Sequence, residues 1–252
     1  MKTATTSWAT ALVVLVGMGR VADGANPVLT APSFRVETDV YEGESNAPQS
    51  QHLILFDSGV IYDLPVARGE IVTVFDIPRN RVVLVHKTSR VRSSIDTETL
   101  VQMTAQVRSA AAERGTGATL GLDATMIASP DQSLYTLQFG STRYEVQPQT
   151  TSDPVVASEF AAFTSWAARL NIALRIGPPP FAAMTIADEL ARDGRMPRKV
   201  KVDLRRGLTT RTYRSEHIVV ERLSDFDRKK ISDVGGMIAM FEEVAFSEFP
   251  ND

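Results

Sequence analysis

From Phe34 the chain alternates strictly: Phe34, Val36, Thr38 and Val40 fall on one side, Arg35, Glu37 and Asp39 on the other. A period of two over this length predicts a half-buried β-strand. His52-Leu-Ile-Leu-Phe56 and Val60-Ile-Tyr-Asp-Leu64 flank Asp57-Ser-Gly59, which reads as a three-residue hairpin connection with Gly where positive φ is favoured. Glu70–Phe75 and Arg81–His86 flank Asp76-Ile-Pro-Arg-Asn80, whose Pro and Asn are turn formers. A short strand over about Ser89–Ile95 completes a meander. Strands joined by such tight turns run antiparallel.

The period then lengthens. Leu100, Val101, Thr104, Val107 and Ala111 recur at helical spacing behind Asp96 or Thr97 as N-cap, and the helix should stop before Gly115. Residues 115–132 show no period and read as irregular. Strands are expected over Leu134–Phe139 and Thr142–Val146, across a Gly140-Ser141 loop that suits a type II′ turn. Ser152 reads as the N-cap of a second helix, with Pro154 in its first turn and Phe160, Phe163, Trp166, Ala167 and Leu170 as its buried stripe. Three prolines after Gly177 end that unit, and a third helix is expected over about Phe181–Arg192 with Gly194 as its C-cap. Strands over Val200–Leu204, Thr209–Arg214 and His217–Leu223 follow, with turns at Arg206-Gly207 and Ser215-Glu216. A last helical region opens at Ser224 and runs to about Phe246, with a break expected at Gly235-Gly236. About eleven short strands gathered in runs, with about four helical segments between, predict an α+β fold with a mostly antiparallel sheet, and argue against Rossmann or TIM architectures.

The segment before Phe34 is of another kind. Lys2 precedes an uncharged stretch, Thr3–Gly19, whose densest apolar run is Trp8–Gly19; Ala22, Gly24 and Ala25 follow. That run suits a signal peptide and falls short of the ~20 residues that cross a bilayer. The expected organisation is a signal peptide over 1–25, a linker over 26–33 and a single α+β domain over 34–252, exported to the periplasm or the extracellular space.

Composition narrows the function classes. The 252 residues are 43% hydrophobic and 23% charged, with a net charge of -3. This is ordinary for a folded domain, and it excludes a wholesale nucleic-acid binder and a highly charged disordered chain. Cysteine is absent, which removes disulfides, thiolate metal sites, iron–sulfur clusters and a cysteine nucleophile. His52, His86 and His217 stand singly in strand patterns without the close pairing that announces a metal site. Gly115-Thr-Gly-Ala-Thr-Leu-Gly121 follows a helix instead of a strand and has the wrong spacing for a dinucleotide loop. Ser58 and Ser141 belong to hairpin turns and not to a nucleophile elbow. No catalytic residue, metal ligand or cofactor is therefore assigned, and a non-enzymatic protein is expected.

One charge asymmetry stands out. Lys199, Lys201 and Arg205 alternate with Val200, Val202 and Leu204, and Arg211 and Arg214 lie in the next strand. Together these five cations form a candidate patch for an anionic membrane surface. The plainer reading is a solvated sheet face.

The succession Gly59-Val-Ile-Tyr-Asp, Glu70-Ile-Val-Thr-Val-Phe-Asp76, Arg81-Val-Val-Leu-Val and Ser94-Ile-Asp-Thr-Glu resembles the hairpins leading into a helix in the LolA-like half-barrels of periplasmic lipoprotein and lipid carriers. More closely, the chain is similar to a family of secreted bacterial proteins of the same size. The likeness spans most of the chain after the leader, but it is one of strands and turns, so no functional residue carries over. It implies an antiparallel sheet curled around helices, with an apolar concavity that shelters acyl chains. The long helix of Ser152–Pro180 and its triple-proline end depart from that pattern. The resulting expectation is an exported protein that carries or senses a lipid, a lipoprotein or another apolar ligand. The alternative is a structural or interaction protein of the cell envelope with a filled core and no ligand.

Overall fold

The computed structural model describes residues 31–66, 69–177, 180–207 and 209–250; the expected signal peptide and most of the linker lie outside them. Short turns join the first six strands into a meander: β1 (Phe34–Glu42), β2 (Ser50–Asp57), β3 (Val60–Pro65), β4 (Ile71–Asp76), β5 (Arg81–His86) and β6 (Val91–Asp96). The β2–β3 loop is two residues long, not three. Ser58 and Gly59 both take positive φ, 54° and 78°, the type I′ geometry that matches strand twist.

The helix α1 (Thr97–Glu113) follows, with Asp96 at its N-cap. Residues 115–132, expected to be irregular, hold a one-turn helix α2 (Gly117–Leu120) and a short strand β7 (Met126–Ala128). The chain continues through β8 (Tyr135–Phe139), β9 (Thr142–Thr150), α3 (Pro154–Leu174), α4 (Pro180–Arg192), β10 (Arg195–Arg206), β11 (Thr209–Val220), α5 (Asp225–Met240) and β12 (Glu242–Glu243). Among the described residues these strands form one twelve-stranded open sheet, in the order β12-β6-β5-β4-β3-β2-β1-β11-β10-β9-β8-β7. Every pairing is antiparallel except β12 with β6. The fold is α+β, a curved, mostly antiparallel sheet packed on helices. Among the described residues no helix is long and apolar enough to cross a membrane.

Three local expectations are corrected. The cap of α3 is Asp153, whose carboxylate accepts from the Val155 amide at 2.9 Å; Ser152 bonds to Glu221 instead. Ser215 and Glu216 make no turn, because both pair in register with Val200 and Lys199, so two expected strands are the single strand β11. Gly235 and Gly236 do not break α5. The helix is anchored at its start by a reciprocal Ser224–Asp227 capping box and along its length by an apolar face, which offset the cost of two helical glycines.

Register sorts the side chains into two faces. Phe34, Val36, Ile54, Phe56, Ile61, Phe75, Val82 and Leu84 bury themselves on the inner face against Leu100 of α1 and Val156, Phe160, Phe163 and Leu170 of α3. Farther along the same face, Tyr135, Leu137, Phe139, Tyr144 and Val146 pack on Ala182, Ile186 and Leu190 of α4. On the outer face, Leu53, Leu55, Leu64, Val72, Val74, Val83 and Val85 lie under α5. Strands β2 to β5 are thus covered on both sides, which is why Leu53–Phe56 and Val82–His86 are continuously buried. After α5 the chain caps the β6 edge with β12 and returns Val244, Phe246 and Phe249 to the inner cluster.

Candidate functional site

Over β10 and β11 the helical cover of the inner face thins out. Val200, Val202 and Leu204, in the apolar phase of β10, keep partial exposure, as does Val40 of β1. They line an open groove of about 920 Å3 together with Tyr213 and Ser215. Beside it, between the sheet and α3–α4, lies a cavity of about 340 Å3 that also borders Val200 and Ser215. Ile54, Phe160, Phe163, Ala168, Ile186 and Ala187 supply its apolar wall. Pro197 lies on the same wall where the β9–β10 register slips between Pro197 and Lys199. A proline cannot donate to a ladder, so a bulge is where an interior strand tolerates one.

A line of polar side chains crosses this apolar surface. In register, Thr38 of β1 faces His52 of β2 on one side and His217 of β11 on the other. Asp63 of β3 faces Ile54, so it lies diagonally beside His52 on the inner face. The contacts follow from these positions: His52 Nδ1 to Asp63 Oδ1 is 2.7 Å, Thr38 Oγ1 to His217 Nδ1 is 3.0 Å, and Ser215 Oγ to His217 Nε2 is 3.1 Å. Five residues from four strands therefore form one polar seam, and all five border the cavity. Tyr144 borders it too, with its hydroxyl buried and without a hydrogen-bond partner among the described residues.

Electrostatics separate the two histidines. The hydrogen bond that His52 donates to Asp63 raises it above the usual imidazole value against the opposing effect of burial. Burial alone pulls His217 down to about 4, so it is neutral at physiological pH. It keeps some exposure and borders the cavity. Tyr144 is pushed up to about 12 by burial and stays a neutral phenol. The seam thus offers a neutral imidazole and hydroxyls at its His217 end and the His52–Asp63 pair at the other.

The register divides the expected basic patch. Lys199, Lys201, Arg205 and Arg214 lie in the outer phase of β10 and β11, whereas Arg211 pairs with Leu204 and belongs to the inner phase. The outer cations are locally neutralised: Glu216 bridges Lys199 at 3.1 Å and Arg214 at 3.3 Å, and Asp203 holds Lys201 at 3.0 Å. Arg214 also lies 4.2 Å from the centre of the Tyr41 ring. Arg205 and Arg211, both bordering the groove near the β10–β11 turn, make no ion pair among the described residues. The five residues do not share a face.

Each histidine stands singly in the sequence, and the structure gives all three partners: His52 meets Asp63, His217 meets Thr38 and Ser215, and His86 Nδ1 accepts from the Ser89 amide at 3.0 Å. The His52–Asp63 pair was open to hairpin arithmetic, since both residues belong to one tight hairpin. The Thr38–His217 contact joins residues far apart in the chain and left no local signal. Among the described residues no group of three or more His, Asp and Glu side chains could hold a metal ion. No protein-family model matches the chain, and no curated protein matches it in sequence.

Proposed function

We propose that this chain is an exported, non-enzymatic carrier or sensor of an apolar ligand, such as a lipid or the acyl chain of a lipoprotein, held between the inner face of the sheet and α3–α4. The observation that carries the reading is the adjacency of the 340 Å3 cavity and the 920 Å3 groove on one mostly apolar surface. Small-molecule sites are concave, largely apolar and ~300–1,000 Å3, with a few placed polar groups. A protein whose only task was to dock on partners would gain stability from filling that space, because interiors otherwise pack densely. The void is supported by small residues on the facing helices: Ala167 and Ala168 on α3, Ala183 and Ala187 on α4.

Those alanines make the reading testable. The fluorescent apolar probe N-phenyl-1-naphthylamine should bind the wild-type protein and be displaced by long-chain amphiphiles. Ala187→Phe, projecting into the cavity, should weaken the probe about tenfold or more while leaving thermal stability equal or higher, because it fills existing space. Absence of probe binding by the wild type, or equal binding by the variant, would contradict a ligand site here.

A further inference from the structure

We propose that the polar end of the ligand enters the cavity and is an uncharged hydroxyl, so that a long-chain alcohol or monoacylglycerol is preferred over a fatty acid or a hydroxyl-free hydrocarbon. The proposal rests on the binding reading above and goes on to name the ligand class.

Several polar atoms on the cavity wall are left unspent. His52 and Asp63 use one atom each on one another, at 2.7 Å, and their side chains remain 34% and 23% exposed. His52 Nε2 and the second oxygen of Asp63 have no hydrogen-bond partner among the described residues. At His217, a neutral ring carries one proton for two nitrogens. One of the flanking hydroxyls, Thr38 or Ser215, therefore donates to the ring, and the other accepts from it and keeps a proton free. The buried Tyr144 hydroxyl is a further donor without an acceptor.

Each ligand class meets this seam differently. A hydrocarbon end would cover donors and acceptors without replacing the water it displaces, which is unfavourable. A carboxylate would lie beside Asp63, and the charge of His52 is already matched by that same residue. A hydroxyl donates and accepts at once, so it can give its proton to Asp63 and accept from the neighbouring His52. At the other end of the seam His217 is held neutral by burial, so it adds no cation to attract a carboxylate. The tail then runs outward over Val200, Val202 and Tyr213 along the groove. The opposite orientation would put an anionic head at Arg205 and Arg211, at the hairpin end of the groove.

The test is displacement of N-phenyl-1-naphthylamine from the full folded chain by 1-dodecanol, laurate and dodecyl methyl ether, all below their aggregation concentrations. Dodecanol should compete about tenfold better than the other two, the equivalent of one satisfied hydrogen bond. In Asp63→Asn, checked by circular dichroism to be folded, laurate should gain on dodecanol because the repelling charge is gone. The wild-type series decides the matter even if that variant fails to fold. Laurate as the best competitor, with the advantage lost in Arg211→Gln, would overturn the proposal in favour of the opposite orientation. Equal competition by all three would overturn it in favour of a site that reads only the tail. If none of the three displaces a bound probe, or the probe does not bind, the binding reading itself fails.

Discussion

Phe56→Ala should cost about 3–5 kcal/mol of folding stability, the range for removing a fully buried aromatic ring. Phe56 is 2% exposed at the centre of the inner face. Its ring stacks on Phe34 with centroids 4.0 Å apart and meets Phe163 of α3 edge-on at 6.0 Å. Phe163 in turn stands edge-on to Phe75 at 5.6 Å. One truncation therefore loosens strands β1, β2 and β4 and the helix that roofs them. Urea titration should show a lower midpoint with an unchanged slope, as expected when stability falls without a change in the surface exposed on unfolding. A loss below about 1 kcal/mol would mean that α3 is held by other contacts. Trp166 should matter less, because it is only half-buried and its ring faces the Arg169 guanidinium at 4.7 Å.

Asp227→Ala is the second large effect, about 2–4 kcal/mol, combining a lost helix cap with lost charge-assisted hydrogen bonds at a buried site. The side chain is 1% exposed, takes hydrogen bonds from the Ser224 hydroxyl and amide, and pairs with Arg35 of β1 at 3.1 Å. It thus ties the outer helix α5 to the middle of the sheet. Burial opposes its charge, but the Ser224 hydrogen bonds and Arg35 prevail and hold the carboxyl below its ordinary value. A carboxyl depressed in the folded state stabilises the fold above its unfolded value, near pH 4, and loses that contribution as pH falls through the lower folded value. The gap in stability between wild type and Asp227→Ala should therefore be constant from pH 7 down to about pH 5 and shrink below about pH 4. Denaturant melts across that range check it. A gap that does not change with pH would show that the carboxylate's charge contributes nothing.

The meander was legible because each of its strands alternates locally and each turn carries its own chemistry, as at Asp76–Asn80. Non-local pairing was not legible. Ser215-Glu216 looks like a turn in isolation, yet it lies between two long neighbours, β1 and β10, that complete its ladder on both sides. The site was hidden by a single residue of loop length. A three-residue β2–β3 connection would set Asp63 opposite Leu53 and send it to the outer face. The two-residue turn at Ser58-Gly59 sets it opposite Ile54 and beside His52. The division of the basic residues between two faces was hidden for a related reason. Alternation shows that Lys199, Lys201 and Arg205 share a side, but only the hairpin register shows that Arg211 lies on the other.

The central claim, a ligand on the inner face beneath α3 and α4, is tested most directly by methyl NMR during titration with 1-dodecanol. Saturable shifts are predicted for Ile54, Ala168, Ile186, Ala187 and Val200, which border the cavity. Val74, Val83 and Val234, packed under α5 on the outer face, should stay unmoved. Shifts centred on the outer face, or no saturable shift at any inner-face methyl, would contradict the account.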